Sequence, residues 1–207
     1  MPDFSIEKQF TGPVIGLDEV GRGPLAGPVI SCGCYFKNYT TQEDFLNLIG
    51  DSKKISEKKR KASFKFLQNL KKEDIIDYHL GIANVEEIDK LNILEATKLS
   101  MKRVVDKFNL QKAQLIIDGN FSLNYKSYKE QSVIKGDDKS LSIAAASIIA
   151  KVHRDRLMQK LSIRYQHFGW EKNAGYGTKI HIKNIHRLGP TIHHRKTFEP
   201  IKSLIHN

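Results

Sequence analysis

The chain has 207 residues, of which 40% are hydrophobic and 28% charged, a balance that excludes a disordered or fibrous protein and favours one globular domain. Its 34 Lys and Arg residues against 23 Asp and Glu residues leave a formal net charge of +11, which is typical of a protein that contacts a polyanion such as nucleic acid. The densest apolar stretch, "SIAAASIIA", is too short to span a bilayer, and the N-terminus lacks a signal-peptide core. We therefore expect a cytoplasmic protein with no membrane partner.

The first elements are predicted to be two strands followed by two helices. Residues 14–18 and 29–36 are apolar segments joined by a turn that contains two prolines, and both are typical of strands. A capping-box pattern at Thr41 predicts a helix. A second helix is predicted from Ser56, with one apolar face formed by Ala62, Phe66 and Leu70.

The rest of the chain continues the alternation of strands and helices. Residues 75–83 favour a strand, and residues 85–108 favour one long amphipathic helix or a pair of helices. Two further strands are predicted within "QLIIDGN" (residues 114–120) and "SVIKGDD" (residues 132–138), and a helix from about Ser140 toward Tyr165. This order of elements predicts an α/β layered fold.

Acidic residues follow three of the predicted strands. Asp18 and Glu19 end the first strand, Asp118 ends the fourth, and Asp137 and Asp138 follow the fifth. A solvated turn is the ordinary interpretation of adjacent acids, and either of the last two could cap the next helix. Ligands nevertheless gather at strand ends in α/β folds, and divalent cations join carboxylates to phosphate oxygens. Four such carboxylates could hold two metal ions about 3.5–4 Å apart for phosphodiester cleavage.

The glycine-rich loop after the first strand is not a standard nucleotide loop. "GRGPLAG" has one residue too many for a dinucleotide fingerprint and precedes a strand instead of a helix, and "GLDEVGRG" lacks the lysine of a phosphate loop. Two other classes of protein compete with a nuclease. A non-catalytic nucleic-acid-binding protein would explain the basic charge but not the acids, and a small-molecule phosphate hydrolase would explain the acids but not the charge.

Ordered sequence blocks resemble bacterial ribonuclease HII over nearly the whole chain. They are "GLDEVGRGPLAGPV", "DSKKISEKKR", "IDKLNILEAT", "IIDGN", "KGDDKSLSIAAASIIAKVHRDRLM", "KNAGYGTKIH" and "GPTIHHRKTF". The resemblance implies an α/β, ribonuclease H-like fold, with a central mixed β-sheet flanked by helices and a basic helical C-terminal region. It implies one catalytic domain over residues 1–207. The related ribonuclease HIII family has an additional N-terminal domain, for which the thirteen residues before Val14 leave no room.

The implied activity is that of a metal-dependent endonuclease. Such an enzyme cleaves the RNA strand of RNA/DNA hybrids and nicks DNA duplexes at single ribonucleotides, by two-metal-ion hydrolysis that leaves 3′-hydroxyl and 5′-phosphate ends. The resemblance implies a monomer that uses Mn²⁺ or Mg²⁺. The catalytic and metal-binding residues that it implies are Asp18, Glu19, Asp118 and Asp137. Asp137 is chosen because it directly follows "KG" in the motif, which leaves Asp138 as a helix cap or a supporting residue.

The substrate-binding residues that the resemblance implies are Gly21, Arg22, Gly23, Ser52, Lys53 and Tyr176. The Gly-Arg-Gly segment and the tyrosine would contact the 2′-hydroxyl of the ribonucleotide, and the serine-lysine pair would contact backbone phosphates. We expect Ser142 and Ser147 to be structural, because small residues let a helix pack closely on the sheet. His193 and His194 are expected to contact solvent or phosphate.

Overall fold

The computed structural model describes residues 1–39, 56–110, 112–126 and 128–206. The helix predicted at Thr41 and the two predicted phosphate contacts Ser52 and Lys53 lie outside these residues. Within the described part, no helix combines the length and the apolar character that a membrane span requires.

A mixed five-stranded sheet forms the centre of the fold, in the order β3-β2-β1-β4-β5. The strands are β1 (Val14–Val20), β2 (Val29–Phe36), β3 (Ile76–Ala83), β4 (Gln114–Asp118) and β5 (Lys129–Val133). The first three pair antiparallel, whereas β4 runs parallel to β1 and β5 runs parallel to β4. The predicted α/β fold with a central mixed sheet is confirmed.

Helices cover both faces of this sheet. In the described residues they are α1 (Glu57–Lys72), α2 (Val85–Leu91), α3 (Ile93–Val105), α4 (Leu141–Arg164), α5 (Trp170–Asn173), α6 (Lys179–Leu188) and α7 (Ile201–His206). Ser56 caps α1 as predicted. The long helical stretch is a pair, because Asn92 takes a positive φ of 70° and its side chain caps α3.

The predicted apolar face of α1 is right in part. Phe66 and Leu70 are half-buried against the core, but Ala62 is exposed, and the fully buried residues are Ser63, Phe64 and Leu67. A serine fits this buried face because its hydroxyl donates to the carbonyl of Lys59 one turn earlier, at 3.0 Å.

Helix α4 packs against β1 and β2 through its small residues. Residues 144–146 are three fully buried alanines, and a side chain at Gly16 of β1 would collide with Ser142 and Ile143 of the helix. On the opposite face, Met101 and Val104 of α3 pack against Leu17 of β1. The prediction that small residues bring α4 close to the sheet is confirmed.

Only one of the three acidic segments ends its strand as predicted. Asp118 is the last residue of β4, but β1 continues past Asp18 to Val20, with Asp18 paired to Cys32. Strand β5 ends at Val133, so Asp137 lies beyond it in the 3-10 turn Gly136–Asp138. The side chain of Ser140 caps α4, so the interpretation of Asp138 as the helix cap is wrong.

Candidate active site

A cavity of about 420 Å³ opens where β1 and β4 end. These two strands are parallel neighbours, so their carboxyl ends lie at the same edge of the sheet. Most of the predicted site residues line the cavity, namely Asp18, Glu19 and Asp118, the loop residues 21–23, and Tyr176. Acids from two strands and the glycine loop that follows one of them are therefore brought together.

Asp18 lines the cavity and is only 3% exposed. Its carboxylate accepts a 2.7 Å hydrogen bond from the backbone N–H of Glu19 and another from the hydroxyl of Ser147 on α4. Burial raises the pKa of Asp18 well above its usual value, and the negative charges of Glu19 and Asp118 raise it further. A concentration of negative charge at this depth is favourable when a cation shares the site.

Asp118 and Asp137 are linked through the backbone. The N–H of Gly136 donates to Asp118 Oδ1 at 2.7 Å, and Asp137 follows it directly in the chain. Asp137 is fully buried and does not line the cavity, whereas Asp138 is exposed. The structure thus places three of the four predicted acids in the cavity and the fourth beside Asp118.

The donor set of the cavity fits a hard divalent cation that shares its coordination with a substrate. Among the described residues, no group of three or more Asp, Glu, His or Cys side chains could hold a metal ion by itself. Mg²⁺, however, is usually held by one or two carboxylates together with waters and substrate phosphate oxygens. Asp18, Glu19 and Asp118 supply oxygen donors of that kind around one cavity.

The Gly-Arg-Gly loop is held from below by a buried arginine. Arg195 donates to the carbonyls of Gly21 and Arg22 at 2.5 and 2.8 Å, and to that of Gly27 at 2.8 and 3.0 Å. Above the loop, the Arg22 side chain reaches back to Glu19, with 3.4 Å between Nη1 and Oε1. Gly21 has a φ of +100°, and a side chain there would collide with Arg154 and with the Pro28 carbonyl.

Tyr176 stands beside this loop with 47% of its surface exposed. A Cβ atom placed on Gly23 would lie 3.5 Å from the tyrosine ring, so the two residues adjoin one another. The Tyr176 carbonyl accepts hydrogen bonds from the backbone N–H of Thr178 and from His181 Nδ1, both at 2.8 Å. The exposed ring therefore belongs to a backbone segment that is fixed from inside.

His181 belongs to a buried network with His194 and Trp170. Thr191 N–H donates to His194 Nδ1 at 2.8 Å, so the proton of this neutral ring is on Nε2, 3.0 Å from His181 Nε2. Trp170 Nε1–H donates to the same His181 nitrogen at 3.0 Å. Burial lowers the pKa of His194 to about 3, helped by the neighbouring histidines, and it also lowers the pKa of His181. The expectation that His194 contacts solvent or phosphate is wrong.

Three polar residues of the cavity wall were not predicted as site residues. Ser147 was expected to be only structural, yet it contacts Asp18. Lys151 and Arg60 also line the cavity, and both approach Asp155, at 2.7 and 3.6 Å between the charged atoms. Arg60 lies in the basic run "DSKKISEKKRK", where charge alone does not distinguish a residue of the cavity from one on a solvated helix face.

The order of the five strands and the helices on both faces define an α/β fold of the ribonuclease H type, with an acidic cavity at the ends of its parallel central strands. A family model described as Ribonuclease HII matches residues 15–200. The chain belongs to the ribonuclease HII family, and it is accordingly an endoribonuclease that acts on RNA/DNA hybrids.

Relatives and solved structures agree with this membership. Ribonuclease HII of Wolbachia pipientis subsp. Culex pipiens is 47% identical over 203 residues, which cover 98% of each chain. The crystal structure of ribonuclease H2 from Pyrococcus horikoshii OT3 superposes with a TM-score of 0.72 at 26% identity, covering 93% of this chain and 96% of that one. Bst-RNase HIII in complex with Mn²⁺ shares the fold at a TM-score of 0.67 and 18% identity, covering 100% of this chain and 73% of that one.

Proposed function

We propose that this protein, besides cleaving RNA/DNA hybrids, nicks DNA duplexes at single embedded ribonucleotides and leaves 3′-hydroxyl and 5′-phosphate ends. The observation that carries the proposal is that the Gly-Arg-Gly loop and Tyr176 line the same cavity as Asp18, Glu19 and Asp118. Groups able to recognise a sugar therefore lie within reach of groups able to support cleavage of its phosphodiester.

The four acids are proposed to hold Mn²⁺ or Mg²⁺. Asp18, Glu19 and Asp118 would supply oxygen ligands from the cavity, and Asp137 would act from beside Asp118. Divalent ions held there would activate a water molecule and stabilise the leaving 3′-oxygen. The raised pKa of Asp18 supports this role, because the factors that raise it are burial and neighbouring negative charge, which a cation would offset.

Several side chains of the chain itself would orient the acids and the phosphate. The Ser147 hydroxyl fixes one oxygen of Asp18 from α4, and Arg22 restrains Glu19 from the loop. Lys151 and Arg60 are cations on the wall of the cavity, and Asp155 holds them there. We assign these two cations to contacts with backbone phosphate oxygens, a role for which Ser52 and Lys53 remain proposed as well.

The sugar would be identified by its 2′-hydroxyl, which is the only local chemical difference between a ribonucleotide and its deoxy neighbours. A hydroxyl both donates and accepts hydrogen bonds, so its recognition needs polar groups that come very close to the sugar. Gly23 has no side chain to obstruct that approach, and the exposed Tyr176 ring adjoins it. A site built to bond a hydroxyl rejects the deoxy analogue by a factor on the order of 10⁴.

The duplex is the proposed partner, bound by a monomer. The formal net charge of +11 favours binding to a phosphate backbone irrespective of sequence. Recognition would then follow in two stages, with general attraction to the duplex first and inspection of one sugar at the cavity second.

One assay tests the proposal. The protein is incubated with Mg²⁺ or Mn²⁺ and a DNA duplex that carries one ribonucleotide, with an all-DNA duplex and a phosphomonoester as controls. We expect one nick on the 5′ side of the ribonucleotide, and none in the all-DNA duplex. Tyr176→Ala should slow the nick strongly while duplex affinity changes little. Equal cleavage of the two duplexes by the wild-type protein would overturn the proposal.

A further inference from the structure

Arg195 forms hydrogen bonds with two consecutive carbonyls of the Gly-Arg-Gly loop. Its side chain is fully buried beneath the loop, and it donates to the carbonyl oxygens of Gly21 and Arg22. The same guanidinium also donates to the carbonyl of Gly27, which lies just before β2. The two consecutive carbonyls of the loop therefore point inward, toward one side chain.

Peptide planarity then fixes the direction of the two N–H groups. In a trans peptide the N–H points opposite to the carbonyl of the same peptide unit. The units whose carbonyls belong to Gly21 and Arg22 carry the N–H groups of Arg22 and Gly23, so both N–H groups point outward. Both residues are exposed and line the cavity, and neither N–H donates to an acceptor among the described residues.

Two adjacent N–H groups that face one cavity form a concave donor site for an oxygen atom. Resting on the proposed function, we infer that Arg195 is a positioning residue that aims the Arg22 and Gly23 N–H groups at the oxygen of the ribose 2′-hydroxyl. Tyr176, whose ring adjoins Gly23, would complete the contact with the sugar.

Only a guanidinium can hold the loop in this way. Arginine has five N–H donors in a rigid plane, and Arg195 uses Nε, Nη1 and Nη2 on three carbonyls at once. A lysine in its place would supply one point charge without that plane. Burial and the nearby charge of Arg154 lower the pKa of Arg195 to about 9, so the group still carries its charge at neutral pH.

Arg154 provides a matched control. It is also fully buried, and it also donates only to backbone carbonyls among the described residues, but these belong to Ala26, Pro28 and Ala174. None of these carbonyls lies in the peptide units that carry the Arg22 and Gly23 N–H groups. Arg154→Lys should therefore disturb packing to a similar extent without turning those units.

The test compares Arg195→Lys with Arg154→Lys below their unfolding temperatures. Single-turnover cleavage rates are measured on duplexes with ribose, 2′-fluoro-deoxyribose or deoxyribose at one position. We expect the single-turnover rate of Arg195→Lys on the ribose duplex to fall by about 10-fold or more, as expected when a buried polar contact is lost. The protein concentration that gives half of the maximal rate should stay nearly unchanged. The ratio of ribose to 2′-fluoro rates should fall in Arg195→Lys, whereas Arg154→Lys should keep the wild-type ratio.

A loss confined to stability would overturn the inference, as would an Arg195→Lys rate within threefold of wild type. So would an equal loss on all three duplexes, because that result indicates general damage. If wild type does not prefer ribose, the proposed function fails instead. Should Arg195→Lys not fold, NMR of the wild-type protein decides: the Arg22 and Gly23 amide signals must shift with the ribose duplex and not with all-DNA.

Discussion

The backbone N–H of Gly136 donates a 2.7 Å hydrogen bond to the carboxylate of Asp118, across 18 positions of the sequence. This contact attaches the end of β4 to the turn that carries Asp137. It leaves Asp137 buried next to a cavity acid and Asp138 exposed. The two adjacent aspartates therefore have different surroundings, which predicts different consequences when each is changed.

Asp137→Asn should abolish most cleavage, and Asp138→Asn should have little effect. The expected loss exceeds the roughly 10- to 100-fold that follows loss of a residue supporting a metal ligand. Asp137→Asn should remain folded, because it removes a buried charge while nearly keeping the side-chain volume. Steady-state cleavage rates and thermal unfolding of both variants provide the check. An active Asp137→Asn together with an inactive Asp138→Asn would reverse the assignment.

Ser147→Ala should lower activity more than stability. Its hydroxyl orients the Asp18 carboxylate, so its loss should reduce the cleavage rate by about 10-fold. Ser142 is the control on the same helix, because its hydroxyl donates to Glu7 Oε1 at 2.7 Å. Ser142→Ala should cost about 1 kcal/mol of unfolding free energy with little change in rate. Urea unfolding and kcat are measured for both, and equal rate losses would contradict the role of Ser147.

Gly21→Ala and Gly23→Ala should reduce cleavage for different reasons. Gly21 has a positive φ and no room for a side chain, so alanine should lower the unfolding free energy by about 1 kcal/mol or more. A Cβ on Gly23 makes only an ordinary contact, so stability should stay within about 0.5 kcal/mol. The methyl group of the Gly23→Ala variant should nevertheless keep the sugar from approaching the backbone, and so slow cleavage. Calorimetry together with cleavage rates distinguishes the two, and an unchanged rate for Gly23→Ala would argue against close approach at that position.

The buried His194 should make the protein less stable in acid. Its pKa is about 3 in the folded chain and about 6.5 when unfolded, so between these values only the unfolded state binds the proton. Its contribution is fully present above about pH 6.5 and is lost toward pH 3, by up to about 1.4 kcal/mol per pH unit. Burial also lowers the pKa of His181, so this histidine likewise makes the unfolding free energy decrease as the pH falls. Urea unfolding from pH 7 to 4 should show a smaller slope for His194→Gln than for His186→Gln, which changes an exposed histidine.

Strands β1, β2 and β4 were predictable because each is a short, largely apolar run. Strand β5 was predicted too late in the chain, because its residues Lys129–Val133 are mostly polar and exposed at the edge of the sheet and carry no apolar signal. Helix α4 was predictable as well, since Ser140 caps it and a continuous run of small and apolar residues follows. The buried face of α1 was predictable only in part, because Ser63 looks polar in the sequence but is buried with its hydroxyl bonded inside its own helix. A helix cap such as Ser140 is thus visible in the sequence, whereas a buried polar residue that bonds within its own helix is not.

The arginines and histidines behind the site were not predictable. Arg195 bonds the carbonyls of residues more than 160 positions earlier in the chain, and backbone carbonyls leave no trace in a sequence. His181 and His194 meet each other and Trp170 only after the C-terminal segment folds back on itself. Sequence spacing can indicate residues that meet within one helix or loop. The contacts of Arg195, His181 and His194 join distant parts of the chain, so they depend on the tertiary structure.

Trp170 is the single tryptophan of the chain, and its indole N–H is bonded inside the network that fixes the Tyr176 carbonyl. Its intrinsic fluorescence is therefore a local spectroscopic probe of the segment that carries Tyr176. A fully buried, hydrogen-bonded indole should emit at short wavelength, and water that enters the network should shift the emission to the red. Loosening of the sugar-contact segment could then be followed optically, in the unlabelled protein, while the sheet and its acids remain folded.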